Sequence, residues 1–282
     1  MILYILGNGY DLYKGLPTRY SDFAYWVKKN HFKDYENITR LFKLDGLWSD
    51  FENKAANSYN IISQEIDDEI ESYEYNSDGY GEEWRDDSDK SYVVHNYVAD
   101  KMIDGITLPR LMREWIEWVL KTKKPKKVRT NKQIINFNYT DYIYGVNNNV
   151  CHIHESISYG GTLQFGHSKE RMLENIWTKL KVSDYGNDYP DAKYIFNQLS
   201  KHPRVSKDRL KKHLIINKPT KLIFFGFSFG EQDLQYFDLF DSNIDVDFYF
   251  KDDGKTQELF QRVKNQFPKA NFKNIDEWDD DF

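Results

Sequence analysis

The chain has 282 residues, 40% of them hydrophobic and 30% charged, with a formal net charge of −6. That length and balance describe a folded chain with a sizeable core, and the negative charge argues against a whole-molecule attraction to nucleic acid or to an anionic membrane. The single cysteine, Cys151, excludes an internal disulfide and a cysteine zinc site. No run approaches the roughly 18 apolar residues of a membrane span, and no basic segment precedes the first apolar run, so a cytoplasmic protein is expected.

Ile2 to Leu6 reads as a buried strand that breaks at Gly7-Asn8-Gly9, with Asp11 one turn later. The glycines either serve only a tight turn or let a ligand approach main-chain N–H groups. Tyr20 to Asn30 is expected as a helix with Phe23, Tyr25, Trp26 and Val27 on its apolar face and Ser21-Asp22 at its capped start. Leu47 to Glu52 opens another helical stretch that continues through Ile61-Ile62. Residues 65–89 carry twelve Asp and Glu against one Arg, and read as a solvated helix end and an exposed loop.

Tyr92 to Leu120 is expected as an amphipathic helix with Trp115 and Trp118. Lys121 to Lys132 is a basic linker; with no aromatic residue among its charges, a solvated connection is preferred to a phosphate-contacting patch. Strands are then expected at Gln133–Asn138, Val150–His154 and Thr162–His167, with a turn at Gly160-Gly161. Helices follow at Ser168–Val182 and Asp191–Ile216. After them come a strongly apolar strand at Lys221–Phe227, a helix at Phe229–Phe240, a strand at Val246–Phe250, a helix at Thr256–Phe267 and a last strand at Phe272–Ile275.

Strands alternating with helices predict an α/β fold: a Rossmann-like parallel sheet with helices on both faces. Residues 20–130 hold no strand signal. They are expected as a mainly helical insertion on a nucleotide-binding core of residues 1–19 and 131–282. The 21 Tyr and 19 Phe are spread along the chain and are assigned first to the core.

In such a sheet, ligands sit outside the carboxyl ends of the strands. The residues there are Gly7-Asn8-Gly9-Tyr10-Asp11, Asn138-Tyr139-Thr140-Asp141, His154-Glu155-Ser156, Gly166-His167-Ser168, and Gly226-Phe227-Ser228 with Asp233 beyond. Together they describe a polar pocket. The dehydrogenase fingerprint is not met, because Leu12 stands at the third glycine, and no Gly-Lys-Ser/Thr phosphate loop occurs. Gly226-Phe227-Ser228-Phe229-Gly230 matches a nucleophile elbow by letter, but no histidine follows it in the chain. His152 and His154 alternate on one strand and are expected to point the same way. With His167 they could hold a metal, but no known ligand spacing surrounds them, so no metal is assigned.

These stretches resemble a family. Ile5-Leu6-Gly7-Asn8-Gly9-Tyr10-Asp11 and Gly15-Leu16-Pro17-Thr18-Arg19-Tyr20-Ser21-Asp22-Phe23 resemble the N-terminal signature of the AbiH abortive-infection family of bacterial antiphage proteins. Trp48-Ser49-Asp50-Phe51-Glu52, Phe137-Asn138-Tyr139-Thr140, His152-Ile153-His154 and the late Gly-x-Ser with Asp233 follow in that family's order. The family is in turn distantly similar to sirtuin-like NAD-binding domains. By that likeness Gly7 and Gly9 match the glycine loop, Asn138 the amide, His154 the histidine, and Gly226 with Ser228 the late motif. Thr140 and Glu155 depart from it, standing where those domains carry Asp and Gly, and the sirtuin zinc module is absent; protein deacylation is therefore not expected.

The resemblance implies an antiphage protein that binds and cleaves NAD or a related nucleotide at its N-glycosidic bond, or else a non-catalytic nucleotide-sensing module. In the first case Asn138, His154 and Asp11 carry the chemistry, with Glu155 as a spare carboxylate beside His154. Gly7, Asn8, Gly9, Thr140, Gly226, Ser228 and Asp233 bind the nucleotide, and the N–H groups of Gly7 to Gly9 face its pyrophosphate. No prosthetic group is expected; NAD or a related nucleotide is the substrate or ligand. The partners expected are that small molecule, a phage-derived trigger and a second copy of the chain, with no membrane and no nucleic acid.

Overall fold

A computed structural model describes residues 1–77, 103–146, 149–159, 163–169, 196–216, 218–252, 254 and 256–279. Its strands are β1 (Ile2–Leu6), β2 (Val128–Thr130), β3 (Gln133–Asn136), β4 (Ile143–Gly145), β5 (Val150–His152), β6 (Lys221–Phe225), β7 (Asp245–Phe250) and β8 (Asn271–Asn274). Six of them form a wholly parallel sheet in the order β5-β3-β1-β6-β7-β8, and β2 pairs with β4 in a separate parallel ribbon. The two most apolar runs, β1 and β6, lie side by side at the centre. The chain builds outward from β1 through β3 to β5, then crosses back to β6 and builds the other way. This is the order of dinucleotide-binding doubly wound sheets, and it opens a crevice where the direction reverses, at the carboxyl ends of β1 and β6.

Period-two alternation divides the core into two layers. Leu3, Ile5, Ile135, Leu222 and Phe224 face one layer; Leu6, Ile134 and Phe225 face the other. The second face receives α2 (Tyr20–Asn30), α3 (Phe32–Leu41), α4 (Phe51–Ala56), α5 (Ser58–Ser77) and α6 (Ile103–Lys123), which follow the short α1 (Asn8–Tyr13). The first face receives α7 (Pro203–Ile216) and α9 (Thr256–Gln266), with α8 (Glu231–Leu234) at the crevice. Helices thus cover both faces, as the strand–helix alternation predicts. The high aromatic content goes largely into packing: Phe224 is fully buried against Phe227, Phe229, Phe237, Phe248 and Phe267. Burying each such ring contributes about 1.5–3 kcal/mol.

Several elements differ from expectation. Tyr25 points out of α2, whose start is held by Asp22 accepting from the Arg19 N–H at 3.0 Å. β2 lies within the stretch expected as a basic linker at the end of a mainly helical insertion; three residues beside a lysine run carry too little apolar pattern to show. Leu163–His167 is not a strand. Gly166 takes φ +102 and His167 makes an isolated bridge to Ser200. The helix expected over Phe229–Phe240 starts only at Glu231, because Phe229 adopts φ +53 and Gly230 stays extended, and it is divided into α8 and a 3-10 turn at Phe237–Leu239. Of the helix expected over Asp191–Ile216, residues 191–195 lie outside the described residues, 196–198 are helical, and after a break at 199–202 α7 restarts at Pro203, a residue suited to a first turn. The helix expected at Ser168–Val182 past residue 169, the Gly160-Gly161 turn and the acidic stretch past residue 77 lie outside the described residues. Among the described residues, no helix is long and apolar enough to cross a membrane.

Candidate functional site

Two glycine turns make the floor of the crevice. The Gly7 N–H donates to the Phe225 carbonyl at 3.0 Å and the Gly9 N–H to the Gly226 carbonyl at 2.8 Å. A Cβ on Gly9 would lie 2.5 Å from the Gly226 Cα, and Gly226 itself takes φ +59. The glycines therefore let the ends of β1 and β6 touch backbone to backbone. The N–H groups of Gly7 and Gly9, expected to face a pyrophosphate, are instead engaged inside the fold. Asn8 turns outward and ties down the next loop: its amide donates to the Thr18 carbonyl at 3.0 Å and accepts from the Thr18 hydroxyl at 2.6 Å.

Above this floor lies a cavity of about 420 Å³, lined among others by Gly7, Asn8, Gly9, Asp11, Asn138, His154, Gly226, Ser228 and Asp233. The first, second, third and last polar strand ends therefore meet in one space. The fourth does not. His167 is buried away from the cavity, its Nε2 2.9 Å from the Phe196 carbonyl, and its own carbonyl accepts from the Lys201 N–H at 2.8 Å. Thr140 is also not among the lining residues; it sits behind Asp11.

Asp11 is 1% exposed, and its carboxylate accepts from the Asn138 amide at 3.2 Å, the Thr140 hydroxyl at 2.9 and 3.1 Å, and the Tyr142 hydroxyl at 3.2 Å. Burial pushes its pKa up to about 7, against the opposing pull of the Thr140 and Tyr142 hydrogen bonds. Asn138 is oriented from its own turn, where its N–H donates to the Asn136 side chain at 3.0 Å.

The opposite wall is ionic. His154 Nε2 lies 3.3 Å from Asp233 Oδ1, and Lys201 Nζ lies 3.6 Å from that same oxygen and 2.7 Å from Glu52 Oε1. Glu52 also accepts from the Tyr20 hydroxyl at 2.8 Å. Lys201 is only 2% exposed. Burial lowers the His154 pKa and the Lys201 ammonium lowers it further, so the imidazole is neutral at pH 7. Burial alone would raise Asp233, but Lys201 and His154 hold its carboxyl well below the ordinary range. Lys201 is raised, because Asp233 and Glu52 outweigh its burial. With Nε2 turned to Asp233, His154 Nδ1 is buried and has no hydrogen-bond partner among the described residues. Ser228 is exposed at the rim and makes no hydrogen bond to His154, so the contact that activates a serine nucleophile is missing.

A family model for bacteriophage abortive infection AbiH matches residues 3–249. The chain belongs to the AbiH family. Comparison with curated proteins and with solved structures finds no match. In this AbiH chain two sequence expectations fail on geometry. His152 and His154 do not point the same way: β5 ends at His152, and the chain bends, so that His152 lines a different cavity with Cys151, Arg209 and His213. Glu155 takes φ +63 and lies in that second cavity, ion-paired with Arg209, so it does not stand beside the His154 ring as a spare carboxylate. The AbiH site also holds residues the strand-end reading missed. Tyr20 and Glu52 sat inside stretches quoted for the resemblance but were given no role. Lys201 carried no local signal, since it precedes α7 without a strand behind it.

Proposed function

We propose that the crevice takes NAD or a related nucleotide and cleaves its N-glycosidic bond, and that this is the chemical step through which the chain acts in abortive infection. One observation carries the reading: a buried, neutral histidine paired with an ionised aspartate opens onto the cavity at the switch point of the sheet. In the proposed step the oxygen of a water molecule bonds to the ribose C1′ as the C1′–N bond breaks. The electron pair of that bond leaves with the nicotinamide and neutralises its ring nitrogen. The water proton passes to His154 Nδ1, and Asp233 stabilises the imidazolium through Nε2–H. Positive charge grows on C1′ as the bond opens, and Asp11, ionised above about pH 7, supplies the compensating negative charge from the wall. Asn138 holds Asp11 through its amide N–H and offers its amide oxygen to a ribose hydroxyl. Ser228 and Lys251 line the rim and have no hydrogen-bond partners among the described residues, which suits them to the phosphates and adenosine end.

The test incubates purified protein with NAD and follows free nicotinamide. Because a phage-derived trigger is part of the expectation, NAD is also followed in infected cells carrying wild type, His154→Ala or Asn138→Ala. NAD falling equally fast in all three overturns the catalytic reading.

A second reading, nucleotide sensing without turnover, has its own support. The Asp11 oxygens already accept from three side chains, and the Asn138 amide N–H is already engaged, which is a structural rather than a reactive arrangement. Under that reading NAD binds, His154→Ala binds it equally, and no nicotinamide is released.

A further inference from the structure

At the end of α1 the fold gathers a basic pocket of about 470 Å³. Lys126 and Lys127 enter it from the connection between α6 and β2, Arg129 enters from β2 itself, and Lys14 enters from the end of α1, more than a hundred residues earlier in the chain. Among the described residues no carboxylate lines it. Among the described residues Lys126, Lys127 and Arg129 make no ion pair, so no described carboxylate neutralises this wall. Lys14 Nζ rests 5.5 and 5.3 Å from the ring centroids of Tyr10 and Tyr13, which hold its ammonium near the mouth.

Converging like charges repel one another, and in a chain of net charge −6 the concentration of cations at one concavity is not a general property of the surface. The linker contains no aromatic residue, but tertiary structure supplies one. In the β2–β4 ribbon Arg129 pairs in register with Tyr144, and while Val128, Thr130 and Ile143 turn inward, Tyr144 is 43% exposed. A cationic groove beside an exposed ring is the composition that tracks a phosphodiester backbone and stacks one base.

We propose that this pocket is a second site, separate from the crevice, that binds the phosphodiester backbone of single-stranded nucleic acid without reading its sequence. Lys126, Lys127 and Arg129 neutralise consecutive phosphates and Tyr144 stacks on a neighbouring base. The pocket also touches the crevice wall: Tyr142 lines it and donates to Asp11 at 3.2 Å. A strand bound there lies one hydrogen bond from the buried carboxylate. The proposal stands independently of what the crevice binds.

Fluorescence anisotropy of a labelled 20-nucleotide single strand against the full chain tests it. The affinity is expected to fall with salt, with a slope of log K against log salt of about −2 for three phosphate contacts. Lys126→Glu with Lys127→Glu weakens binding at least tenfold, with an unchanged thermal midpoint. Tyr144→Ala weakens it by a smaller factor with an unchanged salt slope. His154→Ala and excess NAD leave it unchanged. No binding at low salt, a slope near zero, or equal binding by the double charge-reversed chain overturns the site. Displacement by NAD, or loss in His154→Ala, also overturns it, because the strand then occupies the crevice. Duplex of the same length is the second arm, and tighter binding of duplex than of single strand removes the role given to Tyr144.

Discussion

His154 and Asp233 stand 79 residues apart in the chain, yet their side chains meet at 3.3 Å, and Lys201 closes on the same aspartate oxygen at 3.6 Å. The aspartate therefore serves two partners of different kinds. Toward Lys201 it is half of a buried ion pair; toward His154 it is the acceptor that fixes a tautomer and leaves Nδ1 open. Lys201 ties the two functions together, since its charge pushes the histidine pKa down while Asp233 pulls it up.

The first prediction concerns pH. The base form of His154 exists above its depressed pKa, and the charge Asp11 supplies exists above about pH 7, so nicotinamide release should fall in two steps as the pH drops, first as Asp11 takes up its proton and then, below pH 6.5, as His154 does. Lys201→Met removes the cation that lowers it and leaves the aspartate that raises it. The lower limb of the rate profile, the one set by His154, should therefore move to higher pH. A limb that stays in place, or moves to lower pH, shows that Lys201 does not set the His154 proton.

The same substitution predicts a stability loss. Lys201 is 2% exposed and faces Glu52 and Asp233. Removing one member of a buried pair leaves its partners uncompensated, at a cost of about 3–5 kcal/mol. Urea unfolding should read that loss for Lys201→Met, and a smaller one when Glu52→Gln and Asp233→Asn accompany it. Equal losses in the single and triple variants would mean that packing of the lysine stem, not its charge, holds the wall.

Asp11 predicts a pH dependence of stability with the opposite sign to most carboxylates. Its folded pKa, about 7, lies above the ordinary aspartate value of 3.8. Between those values the folded chain holds a proton that the unfolded chain has released, so stability falls as the pH rises from about 4 to 7 and is then level. The full span is on the order of 4 kcal/mol. Asp11→Asn keeps an acceptor for the Thr140 and Tyr142 hydroxyls but cannot ionise. It should flatten this part of the curve and become more stable than wild type above pH 7. A parallel pair of curves removes the raised pKa from the account.

Much of this was legible in the sequence, and the reasons differ by residue. Gly7, Asn138, His154 and Gly226 were found because each follows an apolar run, and an apolar run in an alternating chain is a strand whose end faces the crevice. What those residues do there was less visible. The glycines read as ligand-facing donors, whereas their N–H groups bond to the neighbouring strand end, a role fixed by which strand lies beside β1. Lys201 was not legible at all. It gains its meaning only when α4 brings Glu52 and α8 brings Asp233, and no periodicity records a three-way meeting of that kind. Glu155 failed for a local reason, since a left-handed residue after His154 turns its side chain out of the strand pattern.

The glycine contact gives a comparison within one loop. A Cβ on Gly9 meets the Gly226 backbone at 2.5 Å, where no flexible side chain can yield. Gly15 takes φ +77 but has nothing within 4 Å. Gly15→Ala should cost only the left-handed strain, about 1–2 kcal/mol. Gly9→Ala must instead part β1 from β6 at the crevice floor, and it should cost more than Gly15→Ala in thermal unfolding and lose nucleotide binding as well. If the two cost the same, the backbone contact is not what the glycine serves.

Glu155 separates the proposed base from its sequence neighbour. Its carboxylate is engaged by Arg209 in the second cavity and is partly exposed, so breaking the pair should cost under about 1 kcal/mol. Glu155→Gln should therefore release nicotinamide at the wild-type rate, while His154→Ala does not. Glu155→Gly adds relief of the φ +63 conformation, about 1–2 kcal/mol, which should offset the lost ion pair and leave the thermal midpoint at or above that of wild type. Loss of nicotinamide release in Glu155→Gln, with folding intact, would move the proton-accepting role from His154 to the carboxylate beside it and require the β5 turn to rearrange when nucleotide binds.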